Sequence, residues 1–232
     1  MKEIIDETRI LHYLAEYKIE SIFTDAVKEQ LSLYSFCKGE VLCSKGDQLQ
    51  SLYIIVKGKL KIFTTSPEGN TLIVRFKTPL AIVGDIEYVN GMSVLNTVEA
   101  VTEGELIAVR FDVLRAMEST QVDFLQFLLK IITHKLYTES QSSSLNLLLP
   151  VEVRLASYLL SLSSDGEGNI YHKEMRTSNL TEVAALIGTS YRHLNRVIQK
   201  LALEGIVERK KGLLFIKDLQ RLRERSNGHI YE

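Results

Sequence analysis

Apolar and polar positions along the chain change period repeatedly, and each change marks an element boundary. Between Ile4 and about Leu33, the residues Ile10, Leu11, Leu14 and Tyr17, then Ile22, Phe23 and Val27, recur near helical spacing, which predicts short helices. From about Tyr34 to Arg110 the pattern becomes short β-branched and aromatic runs broken by glycine: Leu52–Val56, Lys59–Phe63, Leu72–Phe76 and Glu105–Val109. Short strands at this spacing predict a closed, jelly-roll-like β-roll. Hairpins are expected at Val56-Lys57-Gly58-Lys59 and at Ser66-Pro67-Glu68-Gly69-Asn70, where glycine takes positive φ and proline presets the turn.

At Asp112 the period switches again. Val122, Leu125, Leu129, Ile132 and Leu136 form a seam of 3.5-residue period, broadened on one side by Phe124, Leu128 and Ile131. That apolar face exceeds what one roll covers, so a parallel two-stranded dimer helix is expected. The polar run Ser140-Gln141-Ser142-Ser143-Ser144 is expected to end the seam, and Pro150 blocks continuation, which places a hinge between about 138 and 150. Val151 to Leu162 reads as a further amphipathic helix, closed by the turn-rich 163–169.

The segment Leu180 to Gln199 fits a twenty-residue helix-turn-helix. A small residue, Ala184, stands where the second helix passes close. Gly188 supplies the left-handed turn, and Val183, Ile187, Leu194 and Val197 form the buried faces that fix a steep crossing. Ser190 can cap a second helix that exposes Tyr191, Arg192, Asn195, Arg196 and Gln199. These are base-reading side chains: arginine pairs bidentately with guanine, Asn or Gln with adenine, while Thr189, Ser190 and Tyr191 can reach phosphate. Two short strands follow around Lys211-Gly212, with Lys210 and Lys211 at their tip, making a winged helix-turn-helix. The 217–225 segment adds a short basic helix.

Charge and composition sharpen this picture. The 232 residues carry 28 basic and 29 acidic side chains, net −1, which excludes a globally basic nucleic-acid coat. Yet from Tyr191 to Arg225 ten basic residues (Arg192, Arg196, Lys200, Arg209, Lys210, Lys211, Lys217, Arg221, Arg223, Arg225) face four acids, a local net of +6. The acidic start Met1–Glu7 lacks the basic, then apolar pattern of a signal peptide, and no run approaches a membrane span; a cytoplasmic protein without membrane contact is expected. The only two cysteines, Cys37 and Cys43, form no disulfide framework and fall short of a four-thiolate metal set, so no metal or other cofactor is expected. None of His12, His134, His172, His193 and His229 belongs to a spaced ligand cluster for haem. There is no phosphate loop, His-Glu-x-x-His or nucleophile elbow, and Asp85 with Glu87 reads as acids at a helix or loop start satisfying backbone N–H groups, so no enzyme is expected.

A β-roll, a long dimer-type helix and a C-terminal winged helix, in that order, resemble the CRP/FNR superfamily of bacterial transcription regulators over about residues 20–220. The motifs carrying the resemblance are Gly39-Glu40-Val41-Leu42, Gly46-Asp47, Leu52-Tyr53-Ile54-Ile55, Gly58-Lys59-Leu60-Lys61-Ile62, Pro67-Glu68-Gly69 and Val83-Gly84-Asp85. Gly84-Asp85-Ile86-Glu87 and Gly188-Thr189-Ser190-Tyr191-Arg192-His193-Leu194 also look like the YeiL-type branch. The resemblance implies an α+β architecture: N-terminal helices and a cyclic-nucleotide-binding-like sensor roll over 1–112, a dimerisation helix and hinge over 113–149, and a winged helix over 150–232.

It further implies a homodimer on a palindromic operator in double-stranded DNA, with RNA polymerase as a further partner. Nucleotide-binding members carry a Gly-Glu near the start of a phosphate cassette and Arg-Ser or Arg-Thr near its end. Here Asp85 takes the acidic place and Val94-Leu95 the pair, leaving Gly84, Asp85, Ile86, Val94 and Leu95 as a degenerate effector pocket. A phosphodiester would forfeit charge-assisted bonds of about 1.5–3 kcal/mol each, so cAMP and cGMP are not the expected effectors. In cAMP-receptor-type members the recognition helix offers Arg-Glu-x3-Arg after the capping serine; Tyr191, Arg192 and Arg196 stand there, and a different half-site is expected. Two alternatives stay open: redox or oxygen sensing through Cys37 and Cys43, with an iron–sulfur cluster pooled across the dimer, or constitutive binding without an effector.

Overall fold

The apolar run Leu52–Val56 is uninterrupted because both of its faces are covered, and this sets the architecture of the first half of the chain. The computed structural model describes residues 1–65, 71–116, 122–163, 174–176 and 180–227. They fall into two units, Met1–Ile62 with Lys77–Tyr137, and Phe63–Phe76 with Thr138–Glu232. In chain order the elements begin with β1 (Lys2–Ile4), α1 (Glu7–Glu16), a 3-10 turn (Glu20–Ile22), α2 (Asp25–Lys28), β2 (Ser32–Phe36), β3 (Val41–Cys43) and β4 (Ser51–Lys57). Then come β5 (Leu60–Thr65), β6 (Thr71–Lys77), β7 (Ala81–Val83), α3 (Asp85–Asn90), β8 (Thr97–Ala100), β9 (Gly104–Arg110) and α4 (Phe111–Ala116). The rest comprises α5 (Val122–Leu148), α6 (Val151–Ser163), β10 (Glu174–Arg176), α7 (Leu180–Leu186), α8 (Tyr191–Leu203), β11 (Val207–Lys210), β12 (Leu213–Ile216) and α9 (Leu219–Arg225).

The roll is two sheets, ordered β1-β2-β9-β4-β7 and β3-β8-β5-β6. Side chains alternate across a strand, so Leu52, Ile54 and Val56 of β4, with Ile107 and Val109 of β9, meet a helical layer that includes Leu14, Phe23, Val27, Leu114, Phe124 and Leu128. Ile55, Leu106 and Ala108, on the opposite face, meet Leu42, Leu60, Val98 and Ala100 of the second sheet. A strand buried on both faces needs no polar alternation, hence the continuous apolar runs.

Local departures from the sequence-based expectations have physical reasons. The N-terminal helices are present, but the chain starts with β1, paired antiparallel to β2 with Lys2 opposite Ser35 and Ile4 opposite Leu33. Three residues are too few to show a period. The hairpin expected at Val56-Lys57-Gly58-Lys59 is absent: β4 and β5 lie in different sheets. Gly58 has φ 95° and crosses between sheets where the backbone is tight; a Cβ there would stand 2.7 Å from the Glu103 carbonyl oxygen, and one on Gly104 2.1 Å from that of Lys57. The turn expected at 66–70 lies outside the described residues; β5 and β6, which flank it, are neighbours in their sheet.

Of the segment expected as a dimerisation helix and hinge over 113–149, the described residues form the end of α4, to Ala116, and α5, from Val122. Phe124 and Leu128 of α5 are buried in the core beneath the roll, with Ile131 and Ile132 packed at its margin, whereas Val122, Leu125, Leu129 and Leu136 are exposed. The serine run does not end the helix. Its backbone stays helical to Leu148, and the interruption falls at Leu149-Pro150, where the Pro150 carbonyl accepts from the Val153 and Arg154 N–H groups at 3.0 and 3.2 Å and so opens α6. Within the interval of about 138 to 150 the helical backbone is thus interrupted only at the proline, whose ring cannot continue the preceding helix. Among the described residues no helix is long and apolar enough to cross a membrane.

Candidate nucleic-acid interface

The helix-turn-helix forms where the apolar spacing placed it. Val183, Ala184 and Ile187 of α7 and its turn, and Leu194, Val197, Ile198 and Leu201 of α8, share one core with Leu155 and Leu159 of α6 and Leu222 of α9. Gly188 has φ 65°, and the Thr189 N–H returns to the Ala184 carbonyl at 2.8 Å, so the turn needs the left-handed conformation that glycine adopts freely. Buried Arg154 of α6 donates to the carbonyls of Ile187 and Gly188, the latter at 3.2 Å, supplying donors to a turn whose carbonyls have no helical partner. Ser190 caps α8: its hydroxyl accepts from the His193 N–H at 3.2 Å.

With that face buried, helical geometry turns Tyr191, Arg192, Arg196 and Gln199 outward, all exposed, beside half-buried Thr189 and exposed Ser190. Arg192 and Arg196 make no ion pair among the described residues. Arg196 also borders an open cleft of about 490 Å³ with Pro150, Glu152 and Lys200, which leaves its guanidinium accessible. The wing is a two-residue hairpin: Lys210 faces Leu213, and Lys211 and Gly212 both take positive φ, 50° and 76°, a type I′ geometry matched to strand twist. Lys210 and Lys211 are exposed at its tip. The third strand, β10, pairs with β12 and was not foreseen, being three residues long.

Two features differ from the sequence-based expectations. Asn195 is only half exposed and its amide is engaged at both ends: Nδ2 donates to the Tyr191 carbonyl at 3.2 Å, and Oδ1 accepts from Arg209 of β11 at 3.1 Å. The local +6 is also unevenly available. Glu152 bonds Lys200 at 2.6 Å and Arg225 at 2.5 Å, Glu204 bonds Arg225 at 2.7 Å, and Glu208 lies 3.4 Å from Lys217. The Lys200 ammonium, with Arg225 behind it, holds the Glu152 carboxyl below the usual range. Lys200 and Arg225 are thus paired within the fold, whereas Arg192, Arg196, Lys210 and Lys211 have no ion pair among the described residues. The short basic helix expected after the wing is α9, capped by Asp218, whose carboxylate accepts from the Arg221 N–H at 3.0 Å.

The five residues read as a degenerate effector pocket do not share one environment. Gly84 has φ 98° and opens α3; Asp85 is 2% exposed, and its two oxygens accept from Lys135 of α5 at 2.8 and 2.7 Å, while the same ammonium donates to the Ile82 carbonyl at 3.1 Å. The partner of Asp85 is thus a cation fifty residues away, not the helix-start N–H groups that its position suggested. Val94 is buried in the core between the sheets, and Ile86 and Leu95 are exposed. Burial, with Asp85 nearby, raises the Glu87 carboxyl.

Cys37 is exposed and Cys43 buried. Burial, reinforced by Glu87 and Asp47, pushes the Cys43 thiol up to about 12, which suppresses the thiolate that redox or metal chemistry requires. Iodoacetamide at pH 8 is therefore expected to label one thiol per folded chain, Cys37, and both after denaturation; peptide mapping that finds Cys43 labelled in the folded protein contradicts this. Exposed His12 lies 3.8 Å from Glu16, His134 and His193 are exposed on helices, and His172 and His229 lie outside the described residues. Among the described residues no group of three or more His, Cys, Asp or Glu gathers to hold a metal ion.

A sheet sandwich followed by a helix-turn-helix with a wing defines a class, and comparison with known proteins agrees. Residues 33–121 match the cyclic nucleotide-binding domain family and residues 153–225 the Crp-like helix-turn-helix domain. The chain is similar to the regulatory protein YeiL of Escherichia coli O157:H7, 27% identical over 210 residues, covering 90% of this chain and 92% of that protein. It is also similar to the CRP-like cAMP-activated global transcriptional regulator of Mycobacterium tuberculosis H37Rv, 24% identical over 206 residues, 87% and 91% of the two chains. A crp/fnr-family structure from Eubacterium rectale shares the fold, with TM-score 0.66 at 15% identity, covering 87% of this chain and 92% of its own. The chain belongs to the CRP/FNR family of transcription regulators, with a helix-turn-helix DNA-binding domain. That family is one of regulators, not enzymes.

Proposed function

We propose that this chain acts in the cytoplasm as a homodimer that binds a palindromic operator in double-stranded DNA and regulates transcription there together with RNA polymerase. The observation that carries the reading is the outward row Tyr191, Arg192, Arg196 and Gln199 on a Ser190-capped helix, whose arginines have no acidic partner among the described residues. Thr189, Ser190 and the wing residues Lys210 and Lys211 serve phosphate, which fixes register, while the arginines and Gln199 read base edges. The exposed stripe Val122, Leu125, Leu129 and Leu136 on α5 supports pairing with a second copy. A dimer would set its two recognition helices about 34 Å apart, one turn of DNA. The domain reading is a sensor roll to about 112, the dimer helix to 149 and the winged helix from 150. The roll works without cAMP or cGMP: Val94 and Leu95 offer no clamp for a phosphodiester, and Asp85 is already engaged by Lys135.

The test is selection from a randomised duplex library at fixed salt, with protein prepared in air and anaerobically, with and without cAMP. The expected result is one palindrome, selected equally in all preparations. Leu129→Lys puts a charge in the α5 stripe; it is expected to weaken dimerisation at least tenfold in analytical ultracentrifugation, since an unpaired charge resists burial, and to lose the preference for two half-sites. No enriched sequence, or a selected site bound equally by a monomeric variant, overturns the reading.

A further inference from the structure

The contact between Asn195 and Arg209 assigns the two residues different tasks from those their types suggest. Strand β11 alternates, so Arg209 lies on the same face as Val207, which is buried, and opposite Leu214, also buried; Glu208 and Lys210 lie on the other face. An arginine on the core face, at the open end of a strand that packs against α8, must carry its guanidinium along that helix to reach solvent. It does so, donating from one terminal nitrogen to Asn195 Oδ1 at 3.1 Å and staying exposed. The Asn195 amide has a single orientation that serves both neighbours, since the Tyr191 carbonyl can only accept and the guanidinium can only donate. Turning the amide outward to pair with adenine would break both bonds. Glu208, the adjacent acid, faces away and pairs with Lys217, so Arg209 has no carboxylate partner among the described residues.

We infer that Arg209 is a DNA-phosphate contact of the interface and that Asn195 is its positioning residue, not a reader of bases. The inference rests on the DNA-binding reading above. Asn195 engages one guanidinium N–H and fixes the plane, leaving the remaining donors for a backbone oxygen beside the groove that α8 enters. The wing and the recognition helix are thereby joined into one contact surface through polar groups at the margin of the core.

The experiment measures affinity for the selected operator by fluorescence anisotropy over a series of KCl concentrations, for wild type, R209A, R209K, N195A, the double variant and R196A. A phosphate contact made once by each protomer makes two demands: R209A lowers affinity about tenfold on every operator variant alike, and the slope of log K against log salt falls by about two. R209K keeps the wild-type slope. N195A shifts in the same direction as R209A without changing the selected bases, and the double variant is no weaker than R209A, because removing the holder adds nothing once the held group is gone. If R209A matches wild type in affinity and slope while R196A has lost binding, the assignment is wrong and the DNA-binding reading stands. If N195A relaxes the preference at one base pair, Asn195 is a base reader and the assignment is again wrong. A wild-type protein without affinity for any duplex overturns both.

Discussion

Arg196→Ala is expected to weaken operator binding about 100-fold and to relax the preference at one base pair in each half-site. Arg196 projects from the middle of α8 with no partner among the described residues, so truncation costs the fold almost nothing and the whole effect falls on the complex. One bidentate arginine contributes about 1–3 kcal/mol of discrimination, and a dimer uses it twice, so about 1.4 kcal/mol at each half-site sets the loss near 100-fold. Competition binding against operators altered at single positions checks it, with the melting temperature as control. A loss below threefold, with unchanged base preference, would remove Arg196 from base readout.

Lys135→Met is expected to destabilise the first unit by about 3–5 kcal/mol, since breaking a buried pair strands the surviving charge. Asp85 would lose both of the hydrogen bonds that Lys135 donates to it while 2% exposed, and the Ile82 carbonyl would lose a donor. For a unit of this size that corresponds to a melting temperature lower by roughly 10 °C or more, read by scanning calorimetry. Asp85→Leu placed together with Lys135→Met is expected to recover most of it, because an apolar pair of similar volume often replaces a buried ion pair without loss. A single variant that melts like wild type would show that solvent already serves Asp85.

The recognition helix was legible because every constraint on it is local. The residues that bury α7 and α8 lie within twenty positions, and the left-handed turn calls for glycine at Gly188. The roll was legible as a texture of strands and not as a pairing. Gly58 announces positive φ, but positive φ serves a hairpin and a crossing between sheets equally, and only the partners of β4 and β5 decide between them. The serine run stays helical because serine favours turns only weakly against a helix already propagating from Val122, whereas Pro150 stops one outright. The Asp85 carboxylate and its ammonium are fifty residues apart, and nothing in local spacing announces their meeting. Arg209 counts in the sequence only as one of ten basic residues, yet the two-residue period from Val207 already sets it on the core side of the wing, apart from Lys210.

The tight turn at Lys211-Gly212 bears on how this surface can change over evolutionary time. Two residues in left-handed conformation fix both the length and the register of the wing, so one inserted residue would rotate a whole strand, carrying Val207 outward and Glu208 into the core. Related chains can therefore diversify their operators by exchanging side chains on an unchanging frame, and the wing should tolerate substitution at Lys210 far better than any gain or loss of length.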